Sequence, residues 1–104
     1  MAWVFLFIAA LFEISWATGL KYTHGFTKLW PSVLTITAVV TSLVLLALAV
    51  RSIPVGTGYA IWTGIGAAGT ATLGMILFGE PVSAGRLFFL CMIVGGVIGL
   101  KFTT

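Results

Sequence analysis

Residues 2–20 read AWVFLFIAALFEISWATGL, an apolar stretch with a single carboxylate, Glu13, near its middle. A stretch of about twenty apolar residues is long enough to cross the hydrocarbon core of a bilayer as a helix. The stretch is not typical of a secretory signal peptide, because no basic residues precede it and no cleavage site of the Ala-x-Ala kind follows it. We therefore predict a membrane-spanning helix that places an ionisable side chain deep in the bilayer.

Three more apolar stretches follow, separated by short segments that contain lysine, arginine, glycine and proline. The chain has 104 residues, of which 61% are hydrophobic and 7% are charged. Soluble domains are nearer to about one-quarter charged, so these few charges cannot cover a soluble surface. The sequence therefore predicts an all-α integral membrane protein, a single domain with four transmembrane helices over residues 2–20, 31–50, 55–78 and 84–101.

The basic residues are scattered between the apolar stretches, a pattern that does not indicate nucleic-acid binding. With an even number of spans, one side of the bilayer holds the N-terminus, Arg51 and Lys101, and the other holds Lys21, Lys28 and Arg86. The two sides thus have two and three basic side chains, and under the positive-inside rule this small difference gives only a weak preference for one orientation. We expect insertion in both orientations (dual topology); a protein with one fixed orientation can show the same small difference.

Glu13 is expected to be functional, because ionisable groups in the bilayer are costly and commonly mark ion or proton paths. The alternative is a neutral side chain that holds helices together through hydrogen bonds. Four short helices enclose little space, so we expect an oligomer, most simply a two-fold dimer. If its two copies are antiparallel, the two Glu13 side chains meet near the symmetry axis. Burial and mutual repulsion favour protonation of such a carboxyl pair until a cation replaces the protons. The proton is then the coupling ion, and no other cofactor is predicted.

Aromatic and hydroxyl side chains suggest a cation-binding pocket around Glu13. Trp16 lies one turn further along the same helix face, where its indole N–H can donate to the carboxylate. Tyr59 and Trp62 repeat that spacing in the third span and offer aromatic faces to a cation. Ser42, in the middle of the second span, offers a hydroxyl that could orient Glu13. Simpler interpretations exist, since aromatic residues anchor spans at the membrane surface and intramembrane serines bond their own backbone.

Glycines indicate where helices bend or approach each other. Gly64 and Gly66 in the third span are a candidate flex point. Gly95 and Gly99 form a G-x-x-x-G pair in the fourth span, which favours a helix–helix seam between two copies over close contact within one copy. Glu80, in the turn before the last span, is interpreted as a solvated charge at a helix start. With one histidine, one cysteine and two acidic residues, the sequence predicts no metal site and no enzyme activity.

Several motifs resemble the small multidrug resistance family. They are YAIWTGIGA (59–67) in the third span, KYTHGFTKLWPS (21–32) between the first two spans, and the intramembrane glutamate near the N-terminus. The resemblance extends along the whole chain. The pattern E-x-x-W-A (13–17), together with IPVGTGYAIWTGIGA (53–67) and GLK (99–101), is similar to the guanidinium exporter subtype. The polyspecific drug exporters of the family generally have a small residue where Trp16 stands.

The resemblance implies a dual-topology, antiparallel homodimer in the bacterial inner membrane that exchanges protons for guanidinium ion, or small substituted guanidiniums, by alternating access. It also implies that Glu13 is the shared proton and substrate site, that Trp16 and Ser42 hydrogen-bond it, and that Tyr59 and Trp62 line the pocket. Guanidinium suits such a site because its planar N–H groups pair with carboxylates. Two alternatives stay open: a polyspecific exporter of quaternary ammonium cations, and a non-transporting membrane assembly subunit packed through its glycines.

Overall fold

The computed structural model describes residues 1–103 and contains four helices: α1 (Ala2–Tyr22), α2 (Leu29–Ala49), α3 (Val55–Leu77) and α4 (Ala84–Thr103). All four are long and apolar enough to span a membrane, which confirms the predicted all-helical, four-span class. α2 begins at Leu29 rather than at residue 31. Pro31 therefore lies within the first helical turn, where a missing N–H costs no intrahelical hydrogen bond.

α1 is the centre of the fold, because it packs against both α2 and α3 while those two helices approach each other little. Its contact face contains Leu6, Ala9 and Ala10, all fully buried. The two alanines let the neighbouring backbones come close, and Leu46 and Ile61 complete the contact from α2 and α3. The same face continues to position 13, since residues three, four and seven apart share one side of a helix.

Cation–aromatic contacts show which helix ends lie together. The Lys101 ammonium lies 4.8 Å from the centroid of the Trp3 ring, so the end of α4 is beside the start of α1. At the opposite edge, the Lys21 ammonium lies 5.1 Å from the centroid of the Phe78 ring, just after α3. The helices therefore run alternately up and down, as expected for consecutive spans that are joined by short loops.

The turn after α3 folds a second carboxylate back onto that helix. Gly79 has a φ of 64°, a conformation that favours glycine, and the Glu80 N–H donates to the Gly74 carbonyl at 3.3 Å. The Glu80 carboxylate lies against Gly74, and its Oε1 accepts a hydrogen bond from Arg86 Nη2 at 2.6 Å. Glu80 is therefore a partly buried, paired charge. This corrects its interpretation as a solvated charge at a helix start, because α4 begins only at Ala84.

α4 is the most weakly attached helix. Its backbone approaches only α3, and none of its described residues is buried. The whole molecule is thin, with dimensions of 40 × 35 × 16 Å. A Cβ atom added at Gly95 or at Gly99 would meet nothing within 4 Å. Both glycines thus face outward rather than into the bundle, and their role in a dimer seam stays a prediction.

Candidate functional site

Glu13 continues the buried face of α1 toward α3. Only 8% of the residue is exposed, and its Oε1 atom has no hydrogen-bond partner among the described residues. A buried carboxylate oxygen without a partner is costly unless the group is protonated or binds a cation. This side chain is therefore unsuited to a purely structural hydrogen-bonding role.

Gly66 is where α3 comes closest to that carboxylate. A Cβ atom at this position would overlap Oε1, Cδ and Cγ of Glu13, so only glycine allows the observed approach. Gly64 faces the other way, and a Cβ there would lie 2.5 Å from a methyl carbon of Val97 on α4. Both glycines thus act as contact points within a continuous helix. Their predicted role as a flex point stays a prediction.

Beside Glu13 is a cavity of about 370 Å³ between α1 and α3, here called the Glu13 cavity. A water molecule takes up about 30 Å³ in the liquid, so the space holds a small cation with several waters. A larger cavity of about 620 Å³ lies on the opposite side of α3 and has no ionisable lining residue. The lining residues of the Glu13 cavity are Glu13, Trp16, Ala17, Thr63, Gly66, Ala67, Thr70, Ala71 and Glu80.

Unpaired polar atoms are concentrated in the Glu13 cavity. Among residues 1–103, four buried side-chain N or O atoms lack a hydrogen-bond partner. Three of these, Glu13 Oε1, Trp16 Nε1 and Thr70 Oγ1, belong to residues that line this cavity, and the fourth is Thr18 Oγ1. Trp16 is thus in the predicted place, but the predicted hydrogen bond from its indole to the carboxylate is not formed here.

The Ser42 hydroxyl does not make the predicted hydrogen bond to the Glu13 carboxylate and is instead paired with Trp62, which was predicted to line the pocket. The Ser42 hydroxyl donates to the Ala9 carbonyl at 2.7 Å. The Trp62 indole N–H donates to Ser42 Oγ at 3.0 Å and lies 3.3 Å from the Ala9 carbonyl oxygen. Both side chains are buried and need an acceptor, and this carbonyl is at the junction of the three helices.

The Ser42–Trp62 pair still acts on Glu13 through the backbone. In an α-helix the carbonyl of residue 9 also accepts the N–H of residue 13, so the pair fixes the turn that carries the carboxylate. Tyr59 extends this cluster, with its ring centroid 5.5 Å from that of Trp62, but the residue is 57% exposed. Tyr59, Trp62 and Ser42 therefore lie beside the Glu13 cavity without lining it.

Thr70 is a lining residue with an unpaired hydroxyl that sequence reasoning missed. It lies four residues after Gly66 and eight after Trp62, on the same face of α3. That spacing was available from the sequence and would have pointed to it. Across the part of the chain that the structure describes, no group of three or more histidine, cysteine or acidic residues could hold a metal ion.

Comparison with known proteins gives matches along the whole chain. The family model described as Small Multidrug Resistance protein matches residues 1–93. The chain is 58% identical over 101 residues to the guanidinium exporter of Proteus vulgaris, covering 97% of each protein. It is 57% identical over 104 residues to the guanidinium exporter of Escherichia coli (strain K12), and 56% identical to that of Salmonella typhimurium. In both, 100% of this chain and 99% of the relative are covered.

Proposed function

The chain belongs to the small multidrug resistance family and is a multi-pass protein of the bacterial inner membrane, and from this premise we propose that it exports guanidinium ion in exchange for protons. The observation that carries the proposal is the buried, unpartnered Glu13 carboxylate in a cavity with room for a small cation. The three relatives described above are named guanidinium exporters, and these names support the choice of substrate.

Guanidinium is chemically suited to Glu13. The ion is planar, permanently charged and has only hydrogen-bond donors, so it pairs with carboxylate oxygens through short charge-assisted bonds. A quaternary ammonium has no N–H group and would leave the buried oxygen without a partner. Trp16 narrows the space beside the carboxylate, which favours a small ion over a bulky aromatic cation.

Proton exchange follows from the unpaired Glu13 carboxylate, because the other carboxylate that lines the cavity, Glu80, is paired with Arg86. In a low-dielectric site its charge must be neutralised, either by a proton or by a cation. Both ligands use the same oxygens, so the binding of one displaces the other. A transporter whose site switches from one side of the membrane to the other only when it holds a proton or a guanidinium ion exchanges the two.

A second copy of the chain completes this picture. A bundle 16 Å thin gives the cavity little cover, Tyr59 is 57% exposed, and α4 presents Gly95 and Gly99 to its surroundings. An antiparallel homodimer would cover the site and bring two copies of Glu13 together. Exchange of conformations between the two copies, with α3 bending near Gly66, would then open the site alternately to each side.

The proposal is tested by guanidinium uptake into proteoliposomes under an imposed pH gradient, with the wild type beside Glu13→Gln. We expect gradient-driven uptake by the wild type and none by the variant, which cannot exchange a proton at this position. Glu13→Asp is the matched control, since it retains the carboxylate and should retain coupled uptake. Uptake that ignores the gradient, or that survives Glu13→Gln, would contradict the proposal.

A further inference from the structure

The Thr70 hydroxyl, like that of Thr18 in α1 but unlike several others in these helices, makes no hydrogen bond to its own backbone. Serine and threonine in a membrane helix usually donate to the carbonyl one turn earlier. Thr72 does so to the Ala68 carbonyl at 2.8 Å, and Thr41 does so to the Thr37 carbonyl at 2.8 Å. Thr70 Oγ1 is buried but makes no such bond. The hydroxyl therefore keeps its full donor and acceptor capacity at the wall of the Glu13 cavity.

Its position along α3 relates it to the carboxylate. Gly66 touches Glu13, and Thr70 is one turn further along the same face, a rise of about 6 Å. An N–H···O bond is about 2.9 Å long, so two such bonds on opposite sides of one ion reach about 6 Å, and the ion's own width adds to this. A guanidinium bonded to Glu13 can therefore reach a hydroxyl one turn away.

The unpaired atoms of the Glu13 cavity differ in whether they donate or accept hydrogen bonds, and this decides which of them can bind a cation. The Trp16 indole can only donate a hydrogen bond, so it cannot pair with a cation whose polar groups are all donors. The oxygens of Glu13 and Thr70 both accept hydrogen bonds. When the Thr70 oxygen accepts an N–H from the ion, its own hydrogen can turn to the carbonyl one turn earlier, as in Thr72. This cooperative arrangement strengthens the oxygen as an acceptor.

We propose that the Thr70 hydroxyl is a direct ligand of the transported cation and selects for ions with several N–H donors. Glu13 supplies the charge and accepts from one edge of the guanidinium, and Thr70 accepts from another edge. A cation without a second donor leaves this hydroxyl unpaired. The inference rests on the proposed function, because it assigns a specificity-determining residue to the same site.

The experiment measures guanidinium binding to the purified, detergent-solubilised protein by isothermal titration calorimetry. Thr70→Val removes the hydroxyl and keeps the side-chain shape, and we expect at least about tenfold weaker binding, the usual loss for one hydrogen bond to a charged group. Thr70→Ser restores the hydroxyl and should restore wild-type affinity. Thr72→Val is the matched control, since that hydroxyl bonds Ala68 beside the apolar cavity, and it should bind like the wild type.

A transport assay adds a readout that a merely structural role would not change. For Thr70→Val we expect a raised KM for guanidinium with kcat nearly unchanged, because the lost bond is made to the bound ion. If Thr70→Val does not yield folded protein, Thr70→Ala provides the same deletion with less bulk. If a folded variant without the Thr70 hydroxyl binds guanidinium as tightly as the wild type, the proposed role of Thr70 is overturned while the proposed function is not. A wild-type protein that does not bind guanidinium overturns the proposed function itself.

Discussion

Replacing Gly66 by alanine tests the contact on which the site geometry depends. The new Cβ atom would overlap the Glu13 carboxylate and its Cγ atom, so a small rotation of the carboxyl group alone cannot relieve the clash. Either the Glu13 side chain changes rotamer into the cavity, or α1 and α3 separate. Overfilling a well-packed contact in this way costs roughly 1–3 kcal/mol.

Gly56→Ala is the matched control for that variant, because a Cβ atom at Gly56, in the first turn of the same helix, would meet nothing within 4 Å. Alanine improves helix propensity by up to about 1 kcal/mol, so this control should be as stable as the wild type or slightly more stable. Unfolding in detergent micelles, followed by circular dichroism, compares the two variants. We expect Gly66→Ala to be the less stable one.

Guanidinium binding gives the second readout for Gly66→Ala. Displacement moves the carboxylate away from its position in the wall of the Glu13 cavity. The affinity for guanidinium should therefore fall at least about tenfold, equivalent to about 1.4 kcal/mol. Gly56→Ala should keep wild-type affinity. If Gly66→Ala matched the wild type in both stability and guanidinium affinity, the close approach of α3 to Glu13 would be refuted as a requirement of the site.

Three further variants test other parts of the structure. Ser42→Ala removes the hydroxyl that bonds the Ala9 carbonyl, and the free energy of unfolding in detergent should fall by roughly 1–3 kcal/mol; a loss within experimental error would refute the importance of this junction. Arg86→Gln breaks the half-exposed pair with Glu80, and calorimetric unfolding should show a loss of at most about 1 kcal/mol, reduced further by salt. A much larger loss would mean that the pair is more deeply buried than it is here. Gly99→Leu places a bulky side chain on the outward face of α4, and cross-linking in membranes should show fewer dimers; an unchanged dimer fraction would exclude this face as the seam.

The number and approximate limits of the helices could be predicted from the sequence, because a bilayer-length apolar stretch is a property of the chain alone. Their ends could not, since they depend on local hydrogen bonds. α1 continues to Tyr22, beyond the predicted residue 20, and the turn after it is fixed by the Thr23 hydroxyl, which donates to the Leu20 carbonyl at 2.7 Å and accepts from the Phe26 N–H at 3.1 Å.

In the candidate site, the relations within one helix could be predicted from the sequence, but the contacts between helices could not. Glu13 and Trp16 could be related from the sequence because their spacing lies within one helix. The hydrogen bond from Ser42 to Ala9 joins different helices, and its geometry depends on how far α2 slides along α1. A single sequence does not contain that register, so the acceptor of the Ser42 hydroxyl in this structure could not be predicted from it. Thr70 was missed for a different reason, because a lone threonine in a span usually bonds its own helix.

The central claim is that protons and guanidinium share Glu13, and the most direct test measures protons released when guanidinium binds. Guanidinium is added to detergent-solubilised protein in a weakly buffered solution near neutral pH, and acidification is recorded while binding is followed in parallel. The account predicts that the wild type releases protons on binding and that Glu13→Gln releases none. Guanidinium binding by the wild type without acidification, or equal acidification by Glu13→Gln, would contradict the account.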